Sequence, residues 1–497
     1  MNSGSAMQDE LIAEQVNTGL VKQGAWDVEE FARAATIAVE RLGAYVDKSQ
    51  RGENPVVVRR PPRELAERLE LERWIREGGM TPETFEKFLA VYLANGTQLH
   101  HPGYLAHQTA VPDFPAALAE FVHGAMNNPM DIYEMGAAAV VVEVEVTRWM
   151  LTKVGWDPDT GGAILTHGGS LANLTALLAA RAAAAPSAWT DGVPGDLAVL
   201  APCSSHYSIA RAAAMMGLGE RSVIPLDTDE LERIIPERIP VAVERARRAG
   251  RRPMALVANA CATGTGLYDD LRRIGEHCRE HGIWLHVDSA HGASALLAME
   301  HRHLLDGIEL ADSMVWDAHK MLRTPSLAAG VLLRRGEDLD RAFHQEASYL
   351  FYGDRSQGID LITRTVECTK AELGLKIFCN LAWRGEGGLG AYVSGQYATA
   401  HRFWELARER PGFECPYEPQ TNIVCFRRGC SDDAQIAIRE YLMKEGTFHL
   451  SSTQIAGSRY LRLTVMAPAT DEETLHRLLD AIDRASRASR EVGRPGD

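Results

Sequence analysis

Two short apolar runs lead into side chains that can do chemistry. The run Ile283–Val287 is followed by the carboxylate of Asp288, and the run Ser313–Trp316 is followed by His319 and Lys320. Runs of this length and β-forming composition are typical of buried strands. In an open α/β sheet, ligands bind at the carboxyl ends of the strands. We therefore expect the acid and the amine to meet the same ligand.

An acid and an amine in this arrangement fit one cofactor. A lysine forms an imine with an aldehyde, and a carboxylate pairs with a protonated ring nitrogen. A pyridoxal phosphate (PLP) enzyme needs both groups. A single Asp or Lys at a strand end is usually a solvated loop residue, but HVDSAHG at 286–292 followed by DAHK at 317–320 is a much rarer combination.

These two segments resemble the group II PLP-dependent amino acid decarboxylases, which include glutamate, cysteine sulfinate, 2,4-diaminobutyrate and aromatic amino acid decarboxylases. The resemblance covers roughly residues 101–468 and is closest over 162–349. It implies an α/β protein of fold type I, with a mostly parallel central sheet, a smaller C-terminal α/β domain and an N-terminal helical segment. It also implies a homodimer with its active site at the subunit interface.

The order of predicted elements agrees with this fold. Strand and helix patterns alternate from Gly162 to Arg334, which predicts a mostly parallel sheet covered on both faces. The predicted strands are Ala163–Thr166, Leu197–Ala201, Ala255–Asn259, Ile283–Val287, Ser313–Trp316, Gly330–Leu333, Asn422–Arg427 and Tyr460–Val465. The predicted helices include Val28–Tyr45, Pro62–Trp74, Leu171–Ala185, Leu267–Glu280 and Glu472–Ala485. We divide the chain into an N-terminal helical segment (1–95), a large PLP-binding domain (96–374) and a small domain (375–497).

A glycine-rich turn is the predicted phosphate site. The sequence HGGSLAN at 167–173 lies where a predicted strand turns into an Ala/Leu-rich helix. Glycine lets the backbone approach a ligand closely, and a helix N-terminus offers free N–H groups to an anion. Gly169 and Ser170 are therefore predicted to hold the phosphate of PLP. The turn also matches the family motif GGSxAN.

The resemblance assigns further residues to the cofactor. His206, in the segment CSSHYS, matches the family histidine that stacks on the pyridine ring and can place a proton near the reacting carbon. Thr263 belongs to a Gly/Thr loop that contacts the cofactor in the family. Ala290 and His319 are expected to contact PLP beside Asp288 and Lys320.

The resemblance also indicates substrate contacts. Tyr104 and His107 lie in HPGYLAH at 101–107, a segment that contacts substrate in glutamate-type members. Arg462 matches a strand arginine that holds a substrate carboxylate in acidic-substrate members, a task that suits its planar fork. Gly103 stands where this motif commonly has arginine. Glutamate, aspartate, cysteine sulfinate, diaminobutyrate and aromatic amino acids stay open, and we favour a small polar or acidic one.

The implied reaction is decarboxylation of an L-amino acid to the amine and carbon dioxide. In the family it proceeds through an imine on Lys320 and a quinonoid intermediate, with Asp288 paired to the ring nitrogen. Tyr349, in the loop sequence ASYLF, matches the tyrosine that donates a proton after carbon dioxide leaves, and Tyr352 is a nearby competitor. An oxygen-using oxidative deaminase (aldehyde synthase) is the nearest alternative, followed by a fold-type I aminotransferase or lyase.

Composition limits the partners and the compartment. The chain has 497 residues, 45% of them hydrophobic and 24% charged, and a net charge of −15, which argues against nucleic acid or an anionic membrane as a partner. Its eight cysteines contain no C-x-x-C pair, so we expect reduced thiols and no zinc or other metal site. No signal peptide or transmembrane run is seen, and we expect a cytoplasmic enzyme.

Overall fold

The computed structural model describes residues 26–343, 358–429 and 431–492. Contacts divide the chain into two units, Met1–Gln98 and Leu99–Asp497. Among the helices of the described ranges, none combines the length and the apolar character that crossing a membrane requires.

The first unit is helical. Its helices are α1 (Val28–Gln50), α2 (Pro62–Arg68), α3 (Leu71–Glu77) and α4 (Pro82–Asn95). The carboxylate of Asp27 caps α1 by accepting hydrogen bonds from the N–H groups of Glu29 and Glu30, each at 3.0 Å. The prediction of a single helix over 62–74 is wrong, because the helix is interrupted at Glu70, whose φ of 51° is left-handed. Ser49 is the one buried residue of α1, so this helix contributes almost nothing to a core.

The second unit alternates strands and helices. The strands are β1 (Tyr104–Leu105), β2 (Gly162–Thr166), β3 (Leu197–Ala201), β4 (Val223–Pro225), β5 (Arg252–Asn259), β6 (Trp284–Asp288), β7 (Ser313–Asp317), β8 (Ala329–Leu333), β9 (Phe413–Glu414), β10 (Ile423–Arg428), β11 (His449–Ile455) and β12 (Ser458–Thr464). The helices are α5 (Phe114–Met126), α6 (Tyr133–Val154), α7 (Gly169–Ala184), α8 (Ser208–Met215), α9 (Ile239–Arg248), α10 (Leu271–His281), α11 (Gly336–Ala342), α12 (Leu373–Glu409), α13 (Asp432–Glu445) and α14 (Glu472–Val492). Short 3-10 turns cover Pro186–Trp189, Glu220–Ser222, Pro236–Arg238, Gly292–Leu297, Arg302–Leu305, Ile308–Leu310 and Leu361–Arg364.

A seven-stranded sheet forms the centre of this unit. Its order is β2-β8-β7-β6-β5-β3-β4. Strand β8 is antiparallel to both of its neighbours, and the other pairs are parallel. The carboxyl ends of β2, β3, β5, β6 and β7 therefore lie at one edge. The mostly parallel sheet is confirmed, and each of its six predicted strands is present, whereas the short β4 is missing from the prediction.

Both faces of this sheet are covered, as its apolar strands require. Met314 and Trp316 of β7 pack into one core together with residues of α6, α9, α10 and α12. Val315, between them, packs on the other face together with residues of α7 and α8. This alternation follows from the period of two along a strand. It explains why short, continuous apolar runs formed strands here rather than helices.

A smaller, five-stranded sheet has the order β1-β11-β12-β10-β9. Strands β1 and β11 are parallel, and the other pairs are antiparallel. Helices α12, α13 and α14 pack with it around a separate core. The prediction includes β10, β12 and α14 but lacks β1, β9 and β11. Both sheets belong to the unit Leu99–Asp497, so the predicted division into domains 96–374 and 375–497 stays a prediction.

A buried ion pair fixes the start of the large sheet. Lys370 contacts the carboxylate of Glu143 in α6, and both side chains are inaccessible to solvent. Glu143 Oε1 also accepts a hydrogen bond from the N–H of Leu165 in β2 at 3.0 Å. Leaving one member of a buried pair alone typically costs about 3–5 kcal/mol. The pair therefore holds β2 just before the turn at 167–170.

Candidate active site

One cavity lies at the carboxyl edge of the large sheet, with a volume of about 250 Å³. The turn after β2, the loop after β3 and the ends of β6 and β7 all contribute to its wall. The structure brings together in this wall all of the residues predicted to contact the cofactor: Gly169, Ser170, His206, Thr263, Asp288, Ala290, His319 and Lys320. His167, Asn173 and Asp317 also line it, and sequence reasoning gave these three no role.

Lys320 is held beside an acid. Its Nζ lies 3.2 Å from Oδ2 of Asp317, the last residue of β7. His319 Nδ1 lies 2.7 Å from the carbonyl oxygen of Ala328, to which it can only donate, and this turns Nε2 toward Asp317 at 3.6 Å. Asp317 Oδ1 is buried without a hydrogen-bond partner among the described residues. Asp317 therefore pairs with Lys320 through Oδ2 and positions its Nζ at the cavity wall.

Asp288 accepts hydrogen bonds from a buried side-chain amide and from a backbone N–H. Asn173 Nδ2, one turn into α7, donates to Asp288 Oδ2 at 3.0 Å. The N–H of Ala290 donates to Oδ1 at 3.3 Å. Oδ2 thus accepts a short hydrogen bond. The bond to Oδ1 is longer, so Oδ1 can accept a further hydrogen bond from a donor on the ligand. A carboxylate in this state can pair with a protonated ring nitrogen.

A chain of hydrogen bonds fixes which way the Asn173 amide faces. The indole N–H of Trp284 can only donate, and it reaches Ser313 Oγ at 2.8 Å. Ser313 Oγ lies 2.9 Å from Nδ1 of His286, and Nε2 of the same ring lies 2.9 Å from Asn173 Oδ1. Because the NH₂ group of Asn173 donates to the carboxylate of Asp288, its Oδ1 accepts from Nε2 of His286. Burial lowers the pKa of His286 to about 4, which keeps the ring neutral. The proton of the neutral His286 ring is therefore on Nε2, and Nδ1 accepts from Ser313.

The same amide orients His206. The second N–H of Asn173 donates to Ser208 Oγ at 2.9 Å, and Ser208 lies 2.8 Å from Nδ1 of His206. The backbone N–H of Ser208 donates to Nδ1 at 3.3 Å, so Nδ1 is an acceptor and the proton of the neutral His206 ring is on Nε2. Burial lowers the pKa of His206, so the neutral ring is favoured. A neutral, half-buried imidazole suits stacking on an aromatic cofactor ring.

The turn at 168–170 is built for an anion. Gly168 has φ of +100°, and no side chain caps the 16-residue helix α7 that begins at Gly169. Its first N–H groups and its positive dipole end are therefore open to a phosphate. A Cβ on Gly169 would lie 2.8 Å from Asp317 Oδ2, so only glycine fits there. Amine, carboxylate, imidazole and anion site together fit the groups of PLP.

The predicted substrate residues lie outside this cavity as the described residues form it. Arg462 on β12 is buried, and its Nε donates to the carbonyl oxygen of Thr263 at 3.0 Å, so it contacts the cavity wall from behind. Its Nη1 bonds the carbonyl oxygen of Ala106 at 3.1 Å. Tyr104 is buried beside His449, and His107 is exposed. The predicted proton donor Tyr349 and its competitor Tyr352 lie outside the described residues.

His167, Asn173 and Asp317, which line the cavity without a predicted role, differ in the sequence signal that could have identified them. Asn173 and Asp317 lie inside the quoted motifs GGSLAN and DAHK, and their positions in those motifs are the signal that could have found them. His167 contacts Glu367, which is 200 residues away in the chain, so no local sequence pattern could indicate this pair.

A fold-type I sheet whose edge carries this set of groups defines a PLP-dependent enzyme. The family model described as "Pyridoxal-dependent decarboxylase conserved domain" matches residues 83–428. The chain belongs to the pyridoxal-dependent decarboxylase family. It is a PLP-dependent amino acid decarboxylase, and the predicted family, fold class, cofactor and reaction type are confirmed.

The similarity to individual proteins extends over most of the chain. The acidic amino acid decarboxylase GADL1 of Bos taurus is 30% identical over 447 residues, which cover 85% of this chain and 85% of that protein. The cysteine sulfinic acid decarboxylase of Rattus norvegicus is 31% identical over 481 residues, covering 90% and 96%. The crystal structure of mouse CSAD has a TM-score of 0.84 at 26% identity and covers 91% of this chain and 98% of that one.

The hydrogen bond from Asn173 to Asp288 gives a testable prediction. Asn173→Ala removes a hydrogen bond to a charged group, which is worth about 1.5–3 kcal/mol, so we expect PLP to bind roughly tenfold or more weakly. The dissociation constant is measured by titrating apoenzyme with PLP and following absorbance. Thr175→Ala is the matched control, because that buried hydroxyl bonds the Leu171 carbonyl oxygen within the same helix. Equal affinities of the two variants would contradict the role given to Asn173.

Proposed function

We propose that this decarboxylase acts on a small acidic L-amino acid. The observation that carries the proposal is Arg462: the side chain is buried, and its Nη2 has no hydrogen-bond partner in the described part of the chain. A buried donor without an acceptor is costly, and a carboxylate or sulfinate is the acceptor that a guanidinium prefers. Arg462 also contacts Thr263, which lines the cavity. The names of the relatives, acidic amino acid decarboxylase and cysteine sulfinic acid decarboxylase, support the same substrate class.

We propose the following roles for the residues of the cavity. Bound PLP supplies an electron sink for the electron pair left when the substrate carboxylate departs. Lys320 would attach the cofactor through its Nζ, and Asp317, 3.2 Å away, would hold that group in place at the cavity wall. Asp288 would pair with the ring nitrogen, and His206 would stack on the ring. Gly169 and Ser170 would hold the phosphate at the start of α7.

Tyr349 is our proposed proton donor to the reacting carbon, with Tyr352 as the competing candidate. The proposal rests on the match of ASYLF to the loop of glutamate- and cysteine sulfinate-type members. The oxidative alternative has less support, because the relatives at 30–31% identity bear the names of decarboxylases.

We also propose that the enzyme is a homodimer. An apolar stripe of large exposed side chains runs along α5 and the first part of α12: Phe114, Leu118, Phe121, Val122, Met126, Phe378 and Trp383. Four of the α5 members have the spacing of one helix face. An exposed apolar patch of this kind marks an interface, and a second copy of the chain is the partner that the family favours. Sedimentation at micromolar concentration should give twice the chain mass of 54.6 kDa, and a monomer would count against the proposal.

A reducing compartment, the cytoplasm, is proposed from the thiols. Seven cysteines of the described residues are free, and none of these forms a disulfide. Disulfides persist in oxidising compartments and are rare in the cytosol. Recovery of the native enzyme from a periplasmic or secreted fraction instead of the cytosol would oppose this assignment.

The substrate proposal predicts a change in specificity at Arg462. In Arg462→Gln we expect kcat/KM for acidic substrates to fall about tenfold to a hundredfold, because a bond to a charged group is lost. The measurement is the ratio of kcat/KM for aspartate to that for its uncharged analogue asparagine, with cysteine sulfinate assayed alongside. The ratio separates substrate recognition from general damage, which would lower both rates together.

Arg459→Gln is the matched control for this experiment. Arg459 lies on the same strand, and its Nη1 bonds Ser452 at 3.0 Å and not the wall of the cavity. The control should keep the ratio of the wild type. If Arg462→Gln also keeps that ratio, the guanidinium does not read the acidic side chain.

The proton-donor proposal predicts a loss of amine formation when the phenol of Tyr349 is removed. Without its phenol, Tyr349→Phe lacks the acid that protonates the reacting carbon, so amine formation should fall at least about a hundredfold, within the range typical of general acids. Amine, aldehyde and peroxide are measured together. Tyr352→Phe should behave like the wild type; the opposite pattern would assign the role to Tyr352.

A further inference from the structure

Although the sequence leads us to expect no metal site, we propose that the last turn of α10 binds a divalent transition-metal ion through His277, Glu280 and His281. One ring nitrogen of each histidine and one carboxylate oxygen of Glu280 all lie within 4.8 Å of one another. The residues are three and four positions apart, so they share one face of the helix. Two histidines at this spacing in H-x-x-E-H are a known way to present two imidazoles to one zinc ion.

The hydrogen bonding of these histidines is incomplete, which is the second observation. Nδ1 of His277 and Nε2 of His281 are buried atoms without a hydrogen-bond partner among the described residues. Buried nitrogens are rarely left in this state, because a lost hydrogen bond to water has to be replaced. A metal ion would take the lone pairs of both rings at once.

The distances also fit a metal ion better than a direct hydrogen bond. His277 Nδ1 lies 3.8 Å from Glu280 Oε2, which is too long for a hydrogen bond. Two ligands on one tetrahedral zinc ion, each bound at about 2.0–2.1 Å, lie about 3.3 Å apart. Small side-chain rotations close this difference. The carboxyl end of a helix also carries partial negative charge, and Gly282 ends α10 directly after His281.

The ligand set selects the class of ion. Imidazole favours Zn²⁺, Cu²⁺ and Ni²⁺, whereas Mg²⁺ and Ca²⁺ favour sites made only of oxygen ligands. Two imidazoles and one carboxylate leave a fourth position for water on zinc. Binding requires both histidines to be unprotonated at the ligating nitrogen.

The position of the site indicates a stabilising role. The site lies at the end of α10 that leads into β6, and Asp288 lies at the opposite end of that strand. Five strand residues span about 13 Å, so the ion does not reach the cofactor site. Binding to the folded state alone raises stability by mass action. We therefore expect the ion to raise the melting temperature without changing turnover.

The test uses untagged, PLP-loaded enzyme that has been treated with a chelator and then titrated with ZnCl₂. We expect one high-affinity Zn²⁺ per chain by competition with a chromogenic chelator, and a rise in Tm of about 2 °C or more. His277→Ala and His281→Ala should each bind this ion at least about tenfold more weakly, a difference of about 1.4 kcal/mol. Basal decarboxylation should be unchanged in both variants.

His476→Ala is the matched control. His476 is an exposed histidine on α14 whose Nε2 lies 3.7 Å from Glu472, but that pair has no second histidine. The control should keep the affinity, the stoichiometry and the shift in Tm of the wild type. The proposal is overturned if the wild type shows no such binding, or if the variant His277→Ala/His281→Ala binds Zn²⁺ as the wild type does.

Discussion

A buried carboxylate needs hydrogen-bond donors. The side chain that donates to Asp288 belongs to a hydrogen-bond network that connects four elements of the fold. The bond comes from Asn173 on α7, whose amide is turned by a neutral histidine on β6, itself held by the hydroxyl of Ser313 on β7. The same amide reaches Ser208 on α8 and through it orients His206. The carboxylate of Asp288 accepts from Asn173, so Asn173 Oδ1 accepts from Nε2 of His286, and Nδ1 of this neutral ring accepts from Ser313. One network thus orients both the Asp288 carboxylate and the His206 imidazole.

The parallel sheet brings the second half of the site to the same place. Strands β6 and β7 are neighbours that run in the same direction, so Asp288 and Asp317 end at one edge. Lys320 follows three residues later, close enough to pair with Asp317. The sheet is buried on both faces and cannot shift its register without exposing apolar side chains, which fixes the distance between acid and amine. The chemistry of this family then needs only a phosphate site, and the open end of α7 lies on the same edge.

Local features of the fold can be predicted from the sequence, whereas contacts between residues far apart in the chain cannot. The apolar runs predict the strands that end at Asp288 and Asp317, because continuous burial on both faces leaves a plain composition signal. Strand β11, with the sequence HLSSTQI, has no such signal. The role of Asn173 depends on which way its amide faces, and this is decided by partners from three other elements. The contact between Arg462 and Thr263 joins residues 199 positions apart, so neither spacing nor periodicity could indicate it.

Product stoichiometry on PLP-loaded enzyme is the most direct test of the account. Aspartate, glutamate and cysteine sulfinate are supplied in turn, and carbon dioxide, amine, ammonia and peroxide are followed together. We expect carbon dioxide and the matching amine in equal amounts from at least one acidic substrate, no peroxide, and neither product from Lys320→Ala. Ammonia and aldehyde with peroxide, or turnover without release of carbon dioxide, would contradict it.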